Sequence, residues 1–566
     1  MPVSLPDNPS LDRLRREARD LQRAVRAGDP TALALVAQHH PSGRPADPAR
    51  FPLTAAQHVV ARRCGFASWP RLKHYLDVAA PIRRTMPVSE PDPGGRPDEP
   101  GERINKAHRR SDGAGRQPDQ FGGHADEFCA LACLLYSPLD EPDRWQRAAA
   151  ILRDHPHIPA ASVWAASAAA DAAAVRAHLE ADPALANAEG GPHRWPPLMY
   201  LAYSRLGCTD SADRGRQAGP TDSEPEVARA EDDALECARL LLDAGADPNA
   251  GYLWRGMPTP FTVLTGVFGG GEQGIARQPS HQQAPALARL LLDRGADPND
   301  GQTLYNRMFT PEDDHLRLLL QYGLGSGDGG TWRRRLGDVL DSPAELLVQQ
   351  LAWAIDHRFT GRVRLLLRHG VDVRRPLPSW PCSDLAGLSP VAAAWRSGGA
   401  EIARLLVDAG ADPVAPTGVQ RVMAELLAGR APATHDAART HDAARTHDAA
   451  ADIDAPSVHD ANDEPYALDA VADLRARHPD LIHRADTPAA VRALVGAGFA
   501  VNARRDGATA LHWAAWRGRR DLVRALLRAG ADPGITDAQH GATPLGWAEH
   551  ARQVQTVALL RDAERR

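Results

Sequence analysis

Lysine is nearly absent from this chain. Of 66 basic residues only Lys73 and Lys106 are lysines. Together with an Ala, Gly and Pro bias, this points to a GC-rich bacterial genome rather than to a physical constraint. Cysteine is also sparse: Cys64, Cys129, Cys133, Cys208, Cys237 and Cys382 lie scattered along 566 residues. That excludes a disulfide framework and fits a reducing cytoplasm. Long apolar runs are missing. The N-terminus has no stretch of signal-peptide type. The alanine-rich run near 160–175 is broken by Ser167 and Asp171, which excludes a membrane span there. A strong charge of one sign is missing too, because the net charge is only −6. General affinity for nucleic acid is therefore not expected.

Signatures of catalysis are equally scarce. No Gly-rich loop ending in Gly-Lys-Ser/Thr occurs, and no Gly-x-Ser-x-Gly elbow. Gly269-Gly270-Gly271 follows a helical pattern rather than a strand, so it makes a poor phosphate cradle. His124, Cys129 and Cys133 are close in sequence, but no second ligand pair follows, and buried thiols are the simpler reading. The pairs His435-Asp436, His441-Asp442 and His447-Asp448 fall in a hexapeptide run, Thr434 to Arg439 and onward. A solvated linker holds no metal geometry. The expectation is no catalytic residue, no cofactor and no metal.

What is present is a repeated phrase. Leu240-Leu241-Leu242-Asp243-Ala244-Gly245-Ala246-Asp247-Pro248-Asn249 returns from Leu290 to Asn299, from Leu405 to Pro413 and from Leu526 to Pro533. Looser copies end at Gly323, Gly370 and Gly498. The leucines form the apolar face of a short helix. Glycine ends it by entering the left-handed region, and proline prevents its resumption. One such unit cannot bury its own leucines, so neighbours must stack into a solenoid.

The fullest unit opens at Asp506-Gly507-Ala508-Thr509-Ala510-Leu511-His512-Trp513-Ala514-Ala515. Its second helix contains Leu522, Val523, Leu526 and Leu527, and it closes at Gly530-Ala531-Asp532-Pro533. A further unit begins at Gly541-Ala542-Thr543-Pro544-Leu545. These segments resemble the ankyrin repeat, whose signature joins Thr-Pro-Leu-His to Leu-Leu and Gly-Ala-Asp. The resemblance is closest over 498–566 and 234–300, looser over 361–413, and reduced around 160–205 to Pro197-Leu198-Met199-Tyr200. It implies an all-α helical solenoid and a structural, repeat-linking role for His512. From Gly245 to Gly295 is 50 residues against a family period of about 33, so loops must absorb insertions. Glu549 and Thr556 replace apolar counterparts and mark a polar C-terminal cap.

The organisation follows. Residues 1–80 form a small N-terminal helical unit, with Leu11, Leu14, Ala18, Leu21 and Val25 at helical spacing. Its phrase Gly65-Phe66-Ala67-Ser68-Trp69-Pro70-Arg71-Leu72 is similar to a segment preceding bacterial ankyrin arrays. Residues 81–122 read as a disordered linker. Residues 123–233 are atypical helical repeats with an insertion at 209–233, and 234–413 are ankyrin repeats with insertions, one of them at 269–284. Residues 414–463 are a low-complexity linker, and 464–566 are the C-terminal repeats and cap.

Ankyrin arrays present hairpin tips and first-helix faces to partners. Alignment of the openings places Tyr203, Arg396 and Trp516 at one inward-looking position, followed by Ser204, Ser397 and Arg517. The tips add Tyr252, Trp254, Arg255, Arg504, Arg505 and Asp506. Trp, Tyr and Arg are the residue types that most often dominate interface energy. The expected function is a non-enzymatic cytoplasmic scaffold or adaptor that binds a protein on the concave face, without membrane contact. One alternative is a nucleic-acid regulator using the helix-turn-helix-like segment 54–78. Another is an enzyme whose site lies in 123–233 or 325–360.

Overall fold

The computed structural model describes residues 5–6, 8–85, 122–207, 224–275, 277–431 and 466–565. Cys208, the His-Asp hexapeptides and most of the linker expected at 81–122 lie outside the described residues. The chain divides into two compact units, Met1–Leu347 and Val348–Arg566. No described helix is long and apolar enough to cross a membrane.

The repeated phrase does what its chemistry requires. Helix Glu224–Asp243 buries Leu241 and Leu242, then Gly245 turns left-handed at φ 90°. The Ala246 N–H closes the end by donating to Leu241 O at 2.9 Å. The same closure links Ala296 to Leu291 and Ala531 to Leu526, each at 2.9 Å. A glycine supplies the positive φ each time because a Cβ would oppose it.

In the first unit, helix pairs stack as Val163–Ala169 with Ala172–Ala181, Pro197–Tyr203 with Glu224–Asp243, Val263–Phe268 with Ala284–Asp293, and Gly301–Arg307 followed by Asp314–Gln321. Helices Gly122–Ala132 and Pro142–Asp154 precede them. In the second unit the pairs are Pro390–Arg396 with Ala400–Asp408, Ala510–Trp516 with Arg520–Arg528, and Pro544–His550 with Val554–Glu564. Glu549 is exposed and paired with Arg561 at 2.7 Å, whereas Thr556 is buried.

One repeat is split. Helix Gly418–Leu427 begins with a capping box, Thr417 to Gln420, and buries Val422, Met423, Leu426 and Leu427. It packs on helix Tyr466–Arg477 and, across residues 428–487, on helix Pro488–Gly496. Gly429, with φ 77°, holds the turn position that Gly398 and Gly518 hold elsewhere. The insertion expected at 269–284 likewise falls between the first and second helices of a repeat, whereas of the one expected at 209–233 residues 224–233 belong to the second helix itself, Glu224–Asp243. Sequence spacing alone places the inserted residues in loops, but not in which one.

The N-terminal helices are Leu11–Arg26, Pro30–His39, Leu53–Arg63 and Trp69–Ala79. Ser10, Asp29 and Ser68 cap three of them by accepting backbone N–H bonds. Their core includes the expected stripe Leu14, Ala18, Leu21 and Val25, and continues into Leu253, Trp332 and Leu336 from the repeats. Strand Arg83–Arg84 runs parallel to Gly251–Trp254, which pairs antiparallel with Pro260–Thr262. The helical unit thus sits against a repeat tip.

Candidate partner-binding surface

Each repeat tip is an extended connection held by side chains that reach to the next tip. Asn187 donates to Gly245 O at 2.7 Å and accepts from the Asp247 N–H at 2.8 Å. Asn249 repeats this with Gly295 O at 2.9 Å and the Asp297 N–H at 2.8 Å. Asn299 does the same with Ser326 O and the Gly325 N–H. In the second unit Asn502 accepts from the Asp532 N–H at 3.0 Å, and Arg374 donates to Gly410 O at 3.0 Å. The side chains of Asn187, Asn249 and Asn299 each satisfy a backbone donor and a backbone acceptor of the next tip that would otherwise face water alone. Asn249 and Asn299 end the repeated phrase in the sequence, and their position after Asp-Pro was the available signal, which Asn187 and Asn502 lack.

His512 joins repeats as the family resemblance implies. Its Nδ1 accepts from the Thr509 N–H and hydroxyl at 3.2 and 2.8 Å, and its Nε2 donates to Ala542 O at 3.1 Å. Burial lowers its pKa below the usual imidazole value, so the ring is neutral. Cys129 and Cys133 are buried free thiols, and burial raises both pKa values. Among the described residues no group of three or more His, Cys, Asp or Glu is arranged to hold a metal ion.

The sequence-derived surface residues separate into several environments. Tyr203 and Tyr252 are fully buried and form part of an aromatic cluster with Trp195. The Tyr203 hydroxyl donates to Thr262 O at 2.9 Å. These two rings act as core, because the hairpin Gly251–Thr262 folds over the first helix and removes them from solvent. Trp254 and Arg255 are half-buried, with the guanidinium 4.7 Å from the indole centroid. Their backbone is already engaged by the N-terminal unit: the Asn8 N–H donates to Arg255 O, and the Arg255 N–H donates to Arg84 O. Nearby, the Tyr75 hydroxyl donates to Gly256 O at 3.0 Å.

In the second unit Arg396, Arg504, Asp506 and Arg517 are exposed, and Arg505 and Trp516 are half-buried. Arg504 and Arg505 lie on a two-stranded hairpin with Ala508–Thr509, turned by Asp506 at φ 52° and Gly507 at φ 82°. Arg505 binds Asp480 at 2.5 Å. Trp516 stacks on His550 at 5.5 Å, and Arg517 lies over Trp513 at 5.7 Å.

Sequence reasoning missed a run of interactions beside this surface. Arg358, at φ 54°, pairs with Asp486 at 3.3 Å, and Arg484 pairs with Asp356 at 3.7 Å. The Arg519 guanidinium donates to Asp486 O at 2.8 Å. The inserted segment 478–486 therefore spans from the hairpin, through Asp480 and His483, to the interhelical turns, through Arg484 and Asp486. No local sequence pattern announces this placement, because the partners lie far apart in the chain.

Segment 54–78 consists of two consecutive helices whose inner residues Val59, Val60, Leu72, Tyr75 and Leu76 are buried. Arg71 faces Asp338 at 3.4 Å.

Stacked helix pairs, extended tips and interlocking side chains define a helical-repeat protein. Within it, residues 481–565 match the family model described as ankyrin repeats, with 3 copies. Over 73 residues, 13% of this chain, it is 41% identical to the palmitoyltransferase Hip14 of Drosophila melanogaster, and the match spans only 12% of that protein. A likeness to the solved ankyrin repeat domain of Bcl-3, titled a unique member of the IkappaB protein family, covers 61% of this chain and 100% of that chain. It has 18% identity and a TM-score of 0.22.

Proposed function

We propose that this protein is a non-enzymatic interaction scaffold that binds a protein partner through the repeats of its second unit. One observation carries the reading. Arg396, Trp516 and Arg517 occupy first-helix ends that remain wholly or partly exposed, on helices whose opposite faces are tightly packed. Such a preformed surface loses little conformational entropy on binding. Arg504, Arg505 and Asp506 extend it along the tip. Trp254 and Arg255 belong to a tip that the N-terminal helices already engage, and Tyr203 and Tyr252 are left out because they are core. Ankyrin repeats are typically non-catalytic. The Hip14 likeness touches too little of that protein to bring its activity here. The scarcity of lysine and five buried free cysteines support a bacterial, cytoplasmic setting.

The test is affinity capture by the full chain, repeated with Arg396→Glu and Trp516→Ala combined. A stoichiometric protein partner retained by the native chain and lost from the variant is expected, with unchanged circular dichroism. Equal capture by both would sink the surface assignment.

A further inference from the structure

The turn between helices Ala510–Trp516 and Arg520–Arg528 carries a concentration of positive charge unlike its neighbours. Arg517, Arg519, Arg520 and Arg524 are all exposed. Arg519, Arg520 and Arg524 line an open depression of about 350 Å³, together with Gly518 and Asp521. Asp521 is the only carboxylate in that lining, and Arg519 already holds it through two bonds of 3.1 and 2.9 Å. Among the described residues neither Arg520 nor Arg524 nor Arg517 has an ion-pair partner. Gly518 keeps the turn narrow: a Cβ there would approach Gln553 Oε1 to 2.2 Å. The second helix begins at this point, so its N-terminal partial positive charge adds to the guanidinium field.

We propose that this turn docks an extended acidic segment of a protein partner, with carboxylates on alternate residues. Arg520 and Arg524 are one helical turn apart, and residues so related stand about 5–6 Å apart at Cβ. Alternate residues of an extended chain point to the same side at about 6.6 Å spacing. A Glu-x-Glu pattern therefore meets both forks at once, and arginine grips carboxylate in bidentate geometry. Charge complementarity identifies the occupant as anionic. The surrounding rings argue for peptide over single-stranded nucleic acid, which needs open aromatic faces for stacking. Here Trp516 stacks on His550, Trp513 meets Trp547 edge-on at 5.1 Å, and Arg517 lies over Trp513. The inference rests on the protein-interaction reading but uses the turn, not the Trp516 face.

The experiment is fluorescence anisotropy of a labelled Glu-x-Glu-x-Glu peptide titrated with the full chain at low salt. Arg520→Glu with Arg524→Glu is expected to weaken binding about tenfold or more. Arg13→Glu with Arg16→Glu, exposed on the first helix, is expected to leave it unchanged. Added salt weakens the native complex. Equal binding by the turn variant overturns the proposal, as does absence of binding by the native chain. So does tighter binding of a single-stranded oligonucleotide or of anionic vesicles displacing the peptide. Partner capture that depends on Trp516 but not on Arg520 and Arg524 would defeat this inference while leaving the scaffold reading intact.

Discussion

At the scale of single residues, the tips depend on asparagine. Asn249 makes two bonds to the following tip, and removing a side chain that serves both a donor and an acceptor costs about 1–2 kcal/mol. Asn249→Ala is expected to lower the unfolding free energy read from urea titration by that amount, while Asn249→Asp loses the donating half only. A second residue-scale case is Asp300. It is buried, accepts hydroxyl bonds from Thr262 and Thr265, and caps helix Gly301–Arg307 through the Thr303 N–H at 2.9 Å. Burial outweighs these bonds and raises its pKa to about 6. The folded state therefore holds this proton more tightly than the unfolded chain. The resulting stabilisation is full below pH about 3.8 and lost as pH rises through about 6, roughly 3 kcal/mol in all. His281, buried and lowered to about 3, acts oppositely: its contribution is full above about 6.5 and fades as pH falls. The measurement is the difference in melting temperature between native chain and Asp300→Asn at pH 4 and pH 7. The native chain should gain relative to the variant at the lower pH, and a constant difference would refute the assignment.

At the scale of elements, the interhelical turn needs a left-handed residue. Gly398 supplies it at φ 75°, and a Cβ there would come within 2.6 Å of Leu427 Cδ1. Gly398→Ala is expected to destabilise by about 2 kcal/mol. Ala170 holds such a turn at φ 56° with a side chain in place. Ala170→Gly should cost nothing and can gain up to about 1 kcal/mol, since relief of strain outweighs the looser unfolded chain. Thermal melts of both variants test the pair. The second helices and their glycine stops were legible because Leu-Leu, Gly and Pro act locally. The surface was legible only in part. Arg396, Arg504 and Arg517 emerge exposed, but Tyr203 and Tyr252 do not, because a hairpin distant in sequence covers them. Arg358, Arg484 and Asp486 were illegible for the same reason: each draws its role from a partner that only the fold brings near.

At the scale of the molecule's first unit, the N-terminal helices and the repeats share one core through Leu253, Trp332 and Leu336. Leu253 is fully buried, and Leu253→Ala is expected to cost about 2–5 kcal/mol. Hydrogen exchange should then accelerate in helices Leu11–Arg26 and Trp69–Ala79 as well as in the hairpin. Acceleration confined to the hairpin would show that the two parts do not stabilise each other.

The split repeat of the second unit has a consequence in time. A compact helix pair is complete within about 30 residues of synthesis, whereas helix Gly418–Leu427 must wait through residues 428–465 for helix Tyr466–Arg477 and through residue 487 for Pro488–Gly496. At about 5–20 residues per second, the ribosome leaves Val422, Met423, Leu426 and Leu427 without either of these helices for several seconds. The N-terminal neighbour Pro390–Asp408 is meanwhile finished on one side and open on the other. This repeat is the place where a nascent chain offers a hydrophobic face to a chaperone. Ribosome profiling of chaperone-bound chains should show engagement rising after residue 427 emerges, starting to fall once residue 477 has cleared the exit tunnel and ending once residue 496 has.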